Sequence, residues 1–194
     1  ALESLEPHHL RGPKELTELA KSHEKIILEI GFGNGDNTSF LAAKNPNALI
    51  VASEVYLSGI GSLLNSIDQK SLNNIKIYDD DVRELILNLP KDLFDEVYII
   101  CPDPWPKARH HKRRLIKHDF LKVLAKVLRK DGTVYISTDW ENYAESIEEE
   151  IANTKEHFSF QQISNDGMPI TRFQQRAINE GRSIHTFLLK VLKK

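Results

Sequence analysis

The stretch Ile26-Ile27-Leu28-Glu29-Ile30, followed at once by Gly31-Phe32-Gly33-Asn34-Gly35, decides the fold class of this chain. The first five residues form a short β-branched apolar run, which is typical of a buried strand. The glycines that follow let the backbone turn sharply and approach a ligand where a Cβ would clash. In a parallel sheet such a turn lies at the carboxyl edge, where ligands bind. The alternative is a tight turn without a ligand, since the Gly-x-Gly-x-Gly spacing differs from the dinucleotide fingerprint.

Further apolar runs recur along the chain, with longer amphipathic stretches between them. The runs occupy residues 49–53, 75–78, 96–101 and 133–138, and two later ones occupy 158–163 and 184–191. The clearest amphipathic stretch extends from Asp119 to Lys130, where two cations and then Gly132 indicate a helix stop. This alternation predicts an α/β fold: a mostly parallel seven-stranded sheet, helices on both faces and an antiparallel pair at one edge. We expect residues 1–24 to form an N-terminal arm and residues 25–194 a single domain.

The bulk composition is that of an ordinary globular domain. The 194 residues are 40% hydrophobic and 28% charged, with a net charge of −2, which disfavours disordered and fibrous classes. No apolar run approaches the roughly 20 residues that cross a bilayer, and the single Cys101 cannot form an internal disulfide. We therefore expect a cytoplasmic protein without a membrane partner. The net charge disfavours a nucleic-acid partner only weakly, because phosphate binding depends on where the positive charges lie.

Three carboxylates accompany the predicted strands at the edge that carries the glycines. Glu29 lies in the first strand, Glu54 follows the second and Asp81 follows the third. A carboxylate at 54 suits ribose hydroxyls, one at 81 suits an adenine amine, and Glu29 suits an ammonium group. An acid in the glycine loop would repel the pyrophosphate of a dinucleotide, whereas a cationic, zwitterionic cofactor such as S-adenosylmethionine suits all three. The alternative for Asp79-Asp80-Asp81 is a solvated acidic turn.

The fourth apolar run leads into Cys101-Pro102-Asp103-Pro104-Trp105-Pro106, a loop that its prolines keep out of sheet and helix. Five Lys or Arg residues follow among positions 107–114, the densest positive charge in the chain. A charge run is usually a solvated face, but this one adjoins the predicted ligand-binding edge, which favours a phosphate backbone as partner. Trp105 is interpreted either as a platform for a base or as an anchor for the loop. His110 and His111 predict no metal site, since adjacent side chains point apart.

These motifs resemble the signature of the bacterial tRNA (guanine-N7-)-methyltransferases, which are class I S-adenosylmethionine-dependent enzymes. The resemblance rests on Asp103-Pro104-Trp105-Pro106-Lys107 with the basic residues after it, on the glycine loop, and on the acids at 54 and 81. Later elements of the family are matched by Ser137-Thr138-Asp139-Trp140, Thr171-Arg172-Phe173-Gln174 and Gly181-Arg182. The similarity extends from about Ile26 to the end of the chain. It implies a Rossmann-like class I methyltransferase fold.

The resemblance also implies an activity and a set of site residues. The activity is methyl transfer from S-adenosylmethionine to N7 of the variable-loop guanine at tRNA position 46, by a monomer or homodimer without an obligatory protein partner. The implied cofactor-binding residues are Glu29, Gly31, Gly33, Gly35, Glu54, Asp81 and Asp103, and Asp103 is also the implied catalytic carboxylate. The implied substrate-binding residues are Lys107, Asp139, Thr171, Arg172, Phe173 and Gln174. The implied RNA-binding residues are Arg109, His110, His111, Lys112, Arg113 and Arg114.

Two departures from the family pattern and two other functions stay open at this point. Gln174 stands where the family has glutamate, and Asp79-Asp80 stands where an Arg-Gly pair is typical. One alternative is a class I methyltransferase that acts on another RNA, a small molecule or a protein. The basic run argues against a small-molecule or protein substrate. The other is a non-catalytic RNA-binding module, which the acids beside the glycines argue against.

Overall fold

The computed structural model describes residues 2–164 and 167–192, which contain seven strands and eight α-helices. The strands are β1 (Ile26–Ile30), β2 (Leu49–Ser53), β3 (Ile75–Tyr78), β4 (Phe94–Ile100), β5 (Leu128–Thr138), β6 (Phe158–Ile163) and β7 (His185–Val191). The helices are α1 (Leu2–Leu5), α2 (Pro13–Ala20), α3 (Asp36–Lys44), α4 (Leu57–Lys70), α5 (Val82–Leu87), α6 (His118–Val127), α7 (Glu141–Ala152) and α8 (Arg172–Asn179). A 3-10 helix spans Ala108–Arg113.

The strands form one sheet in the order β3-β2-β1-β4-β5-β7-β6. Strands β1 to β5 pair in parallel, and β7 is antiparallel to both of its neighbours, β5 and β6. This confirms the predicted α/β fold with its antiparallel edge pair. From β1 the chain proceeds outward through β2 to β3 and then crosses back to β4, so the strand order changes direction between β1 and β4. Ligands bind at such switch points, beyond the carboxyl ends of the strands.

Helices cover both faces of the sheet, and the side chains of β1 enter two separate cores. Ile26 and Leu28 pack with residues of α2, α5, α6 and α7. Ile27 points to the other face and packs with α3 and α4. Because both faces are buried, β1 is apolar at every position except Glu29, instead of alternating with polar residues.

The helix predicted to extend from Asp119 to Lys130 is shorter than expected. It ends at Val127, and the next residue, Leu128, already pairs with Phe94 of β4. Leu128 and Phe94 are both fully buried, so pairing and burial in the sheet replace the last helical turn. The cations at 129 and 130, which the sequence suggested as a helix stop, therefore belong to β5.

The predicted N-terminal arm packs on the domain and extends its sheet. The peptide N–H of Leu10 donates to the carbonyl of Ile77 at 2.8 Å, and the N–H of Ile77 donates to the carbonyl of His8 at 2.7 Å. Leu10 and Leu16 are fully buried in the main core. In the described part of the chain, no helix combines the length and apolar character that crossing a bilayer requires.

Candidate active site

A cleft of about 420 Å³ opens at the carboxyl ends of β1, β2 and β4, where the strand order changes direction. This volume lies within the range of about 300–1,000 Å³ that is usual for small-molecule sites. The predicted site residues that line it are Glu29, Gly31, Gly33, Glu54, Asp103, Arg113, Thr171 and Phe173. The structure thus brings the glycine loop, two of the three acids and the proline loop to one place.

The glycine loop combines residues that open the cleft with one that packs a helix. Gly33 has a φ of 60°, and a Cβ there would lie 3.3 Å from the ring of Phe173, across the cleft. Gly35 has a φ of 83° and precedes α3. A Cβ on Gly35 would lie 2.8 Å from Leu63 of α4, and Gly35 does not line the cleft. Gly35 therefore allows α3 to approach α4, while Gly31 and Gly33 leave the backbone open to a ligand.

A further glycine, which sequence reasoning missed, supports this loop from α4. A Cβ on Gly59 would lie 2.1 Å from the carbonyl oxygen of Gly33 and 3.4 Å from Cγ of Glu54. Helix α4 can therefore approach the loop only with glycine at this position. Its only signal in the sequence is a glycine within an amphipathic helix, where alanine would be more favourable by about 0.5–1 kcal/mol.

Glu54 joins the end of β2 to the glycine loop. Its Oε2 accepts the N–H of Gly33 at 2.9 Å, and its Oε1 accepts the N–H groups of Val55 and Tyr56 at 2.8 and 3.2 Å. The side chain is buried, but it lines the cleft. Glu54 thus holds the loop in shape and also presents a carboxylate to a ligand, beside the exposed side chains of Val55 and Tyr56.

Glu29 is the most deeply buried acid of the site. Its carboxylate accepts hydrogen bonds from Nδ2 of Asn37 at 3.0 Å and from the hydroxyl of Thr38, both in α3. Burial raises the pKa of Glu29 from 4.5 to about 7, and the charge of Glu54 adds to this rise, while the two hydrogen bonds oppose it. A cation in the cleft would relieve the cost of burying this charge.

Asp81 lies at the rim of the site and is paired with an arginine. It caps α5 by accepting the N–H of Arg83, and its two oxygens also accept hydrogen bonds from the guanidinium of Arg83 at 2.6–3.1 Å. These hydrogen bonds lower the pKa of Asp81. Arg83, which was not among the predicted site residues, lines the cleft, whereas Asp81 does not. The structure therefore does not bring Asp81 to the cleft surface with the other two acids.

The loop from Cys101 to Pro106 presents Asp103 to the cleft. Cys101 and Trp105 flank this aspartate with φ angles of 48° and 45°, a left-handed conformation that costs non-glycine residues about 1–3 kcal/mol each. Asp103 is exposed between them. Burial, with the nearby charge of Asp139, raises the pKa of Cys101 to about 12. The thiol therefore stays protonated and is not a nucleophile at neutral pH.

The basic run divides into an exposed face and a buried end. Lys107, Arg109, Lys112 and Arg113 are exposed on or beside the 3-10 helix. The guanidinium of Arg113 lies 4.9 Å from the ring of Trp105, and His110 meets the same ring edge-on at 5.8 Å. These contacts favour the interpretation of Trp105 as an anchor for the loop. His110 and His111 are half-buried.

Arg114 requires a correction of its expected role. It is only 4% exposed, and its guanidinium donates to the carbonyl of Pro104 and to Asn142 at the start of α7. It also lies 4.7 Å from the ring of Tyr143. The N–H donors of the guanidinium are directed at protein acceptors, and one of its faces covers an aromatic ring. Arg114 therefore does not belong to the surface predicted to contact RNA.

Among the predicted substrate residues, Asp139 lies beside a second hollow, and the group from 171 to 174 lies at the start of α8. Asp139 forms an ion pair with Arg182 at 2.9 Å beside a hollow that Trp140 and His185 also line. Thr171 and Gln174 form a capping box at the start of α8, and the amide of Gln174 donates to the hydroxyl of Ser137 at 3.4 Å. Arg172 and Phe173 are exposed. The glutamine that departs from the family pattern therefore supplies a donor toward β5, which an ionised glutamate lacks.

The chemistry of the cleft fits S-adenosylmethionine. Glycines at 31 and 33 leave room for a ligand against the backbone, and the carboxylates of Glu29 and Glu54 supply negative charge in the cleft. The exposed Val55 and Tyr56 add apolar surface suited to a purine ring. Arg83 and Arg113 on the walls suit a carboxylate or a phosphate.

Comparison with known proteins agrees with this geometry. Residues 23–187 match a family model described as "Putative methyltransferase". The tRNA (guanine-N(7)-)-methyltransferase of Wolbachia pipientis wMel is 35% identical over 98% of this chain and 86% of its own length. The enzyme of the same name from Nitrosomonas eutropha is 37% identical over 97% of this chain and 88% of its own. The chain belongs to the tRNA (guanine-N(7)-)-methyltransferase family.

Solved structures of other methyltransferases share the fold of this family member. The 16S rRNA methyltransferase KamB superposes with a TM-score of 0.66 at 16% identity, covering 93% of this chain and 94% of that one. The tRNA (m1A58) methyltransferase TrmI from Aquifex aeolicus gives a TM-score of 0.59 at 17% identity, covering 94% and 70%. At these identities the likeness establishes the class I methyltransferase architecture only.

Proposed function

We propose that this protein transfers a methyl group from S-adenosylmethionine to N7 of a guanine in tRNA, and that the target is the variable-loop guanine at position 46. One observation carries the proposal: Asp103 is exposed in a stiff loop that faces the glycine loop across the same cleft. The family relationship supports the reaction and the substrate. The single unpaired Cys101 and a tRNA substrate together favour a cytoplasmic location.

The residues of the cleft have separate parts in this reaction. When bound, S-adenosylmethionine supplies a methyl group on a positively charged sulfur, and the charge passes to the purine as N7 takes that group. N7 carries a lone pair and no proton, so the protein needs no general base. Glu29 and Glu54 hold the cationic donor, and Asp103 stabilises positive charge that develops on the guanine ring.

The tRNA is held by the surface around the cleft. The exposed Lys107, Arg109, Lys112 and Arg113 form a basic face, which suits the phosphate backbone. Asp139 accepts hydrogen bonds from the guanine edge, and Arg172 and Phe173 close the site from α8. These groups come from one chain, so we propose that a monomer or homodimer acts on tRNA without another protein.

The direct test is to locate the methyl group. Unmodified tRNA is incubated with the protein and labelled S-adenosylmethionine, and the RNA is then treated with cleavage chemistry that is specific for N7-methylguanine. Strand cleavage in the variable loop is the expected result. Label incorporated without such cleavage would indicate methylation of another atom, and no label in tRNA would contradict the proposal.

A further inference from the structure

Arg114 lies between the proline loop and α7, although it ends the basic run. Its Nε donates to the carbonyl oxygen of Pro104 at 2.9 Å. One terminal nitrogen donates to Oδ1 of Asn142 at 2.8 Å, and the other reaches the backbone carbonyl of Asn142 at 3.5 Å. One face of the guanidinium covers the ring of Tyr143. With 4% of the residue exposed, no side of the guanidinium is open to a phosphate.

The carbonyl that Arg114 holds belongs to the residue directly after Asp103. Prolines at 102 and 104 restrict the backbone φ on either side of this aspartate, so a contact that anchors the Pro104 carbonyl limits movement of the backbone that carries Asp103. The left-handed Trp105 follows immediately. A charge-assisted hydrogen bond at this carbonyl therefore restrains the loop next to Asp103, and with it the position of Asp103 at the cleft.

Helix α7 provides a fixed support for this contact. Tyr143 is fully buried in the main core, and its hydroxyl accepts the N–H of Ile116 at 3.1 Å. Asn142 and Tyr143 lie in the first turn of α7. Arg114 thus connects the loop that carries Asp103 to a helix anchored in the core.

We propose that Arg114 is a positioning residue for methyl transfer, which holds the Pro104 carbonyl and through it keeps Asp103 aligned at the cleft. The proposal rests on the function proposed above. It assigns to Arg114 an effect on the rate of the chemical step, in contrast to its exposed neighbour Arg113, which lines the cleft.

The test uses Arg114→Lys, which keeps the positive charge but cannot donate to both Pro104 and Asn142 in the fork geometry of arginine. Single-turnover methylation is measured at saturating tRNA and cofactor, and tRNA affinity is measured across salt concentrations. We expect a rate lower by roughly 10- to 100-fold, as for misplacement of a reacting group, with tRNA affinity within about threefold and an unchanged salt slope. Arg113→Ala, the matched control, should flatten the slope by about one unit.

A double-mutant cycle separates positioning from general structural support. If Arg114 acts through Asp103, adding Arg114→Lys to Asp103→Asn should slow the reaction by no more than about twofold further. Equal slowing in both backgrounds, a full rate for Arg114→Lys, or a flatter salt slope would overturn the proposal. If Arg114→Lys does not fold, Asn142→Ala tests the same link. Asn142→Ala should lower the rate by about three- to tenfold in the parent and cause no further loss when Asp103→Asn is already present. A full rate for Asn142→Ala overturns the proposal.

Failure of this inference is distinguishable from failure of the proposed function. A wild-type protein that forms no N7-methylguanine in tRNA contradicts the function itself. An active wild type with full-rate Arg114→Lys contradicts only the role of Arg114.

Discussion

Gly59 of α4 approaches the carbonyl oxygen of Gly33 so closely that a Cβ on Gly59 would lie 2.1 Å from it. The helix after β2 and the glycine loop after β1 are therefore in direct backbone contact, and Cγ of Glu54 lies beside the same point. The shape of the cofactor cleft thus depends on a residue outside the glycine motif.

Gly59→Ala should displace the glycine loop. We expect S-adenosylhomocysteine to bind at least tenfold more weakly, and the free energy of unfolding to fall by about 1–3 kcal/mol, as for an overpacked site. Isothermal titration and urea unfolding measure the two effects. Gly61→Ala is the matched control, since Gly61 lies in the same helix and a Cβ there would meet no atom within 4 Å. Equal behaviour of the two variants would show that the close approach is unimportant.

Glu54→Ala should weaken cofactor binding through both of its roles. Loss of hydrogen bonds to a charged group predicts a weakening of about 1–3 kcal/mol, and the freed N–H of Gly33 adds disorder to the loop. Titration with S-adenosylhomocysteine measures the change. Glu84→Ala removes an exposed acid from the nearby α5 and should leave affinity unchanged. Parental affinity in Glu54→Ala would remove Glu54 from the site.

Glu29 should make cofactor binding and stability depend on pH. If the carboxylate holds the ammonium of the cofactor, binding favours its ionised form, so affinity should fall as pH drops below the pKa of about 7. Binding near pH 7 should also release part of a proton, which titration in buffers of different ionisation enthalpy detects. Glu29→Gln should abolish this release. An affinity that is flat between pH 6 and 8 would contradict the assignment.

The same pKa shift predicts how stability changes in the cofactor-free protein. The pKa of Glu29 is raised from 4.5 to about 7 on folding, so the folded state binds the proton more tightly. Stability is therefore unaffected by this group below pH 4.5, falls between pH 4.5 and 7, and is lower by about 3 kcal/mol above pH 7. Urea unfolding of Glu29→Gln and the parent should diverge over that window. If the stability of the two proteins changes with pH in the same way, the pKa of Glu29 is not raised.

The basic face should govern the salt dependence of tRNA binding. Replacing Arg109 and Lys112 with alanine should reduce the slope of log affinity against log salt by about 1–2 units, while cofactor binding is unchanged. Filter binding at several salt concentrations measures this slope. Lys122→Ala with Lys126→Ala provides the control, because α6 carries these exposed lysines toward the opposite edge of the sheet. Equal slopes for the two double variants would mean that the basic face is exposed to solvent and does not contact the tRNA.

Asp103→Asn should slow methyl transfer strongly and leave the cofactor bound. A neutral amide cannot stabilise the forming purine cation, so a hundred- to thousandfold loss, roughly 3–4 kcal/mol, is expected. Affinity for S-adenosylmethionine should stay within about tenfold, since Glu29 and Glu54 remain. Single-turnover kinetics with saturating tRNA measure the step, with Asp119→Asn, an exposed acid on α6, as control. A rate near that of the parent would leave Asp103 with a role in loop structure only.

Local sequence was sufficient to predict most of the sheet. Strands β1, β2, β3 and β6 begin and end at the predicted residues. The first three are short, mostly apolar runs that end before a glycine or an acidic residue, types that are depleted in strands. Strand β6 carries Ser159, Gln161 and Gln162 as well, as an edge strand with exposed positions can. The glycine loop, Glu54 and Asp103 were likewise predicted at the carboxyl edge, since parallel strands connected by helices must bring these ends together.

The tertiary structure decided the features that depend on residues distant in the sequence. The end of α6 at Val127 depends on the pairing of Leu128 with Phe94, and the burial of Arg114 depends on α7, 28 positions further along the chain. Neither partner lies within a local window, so charge alone suggested a helix stop and an RNA contact. The sequence by itself determined that the glycine loop, Glu29, Glu54 and Asp103 gather at the cleft. Which of them face a ligand depends on packing, because burial commits the hydrogen bonds of a side chain to protein partners.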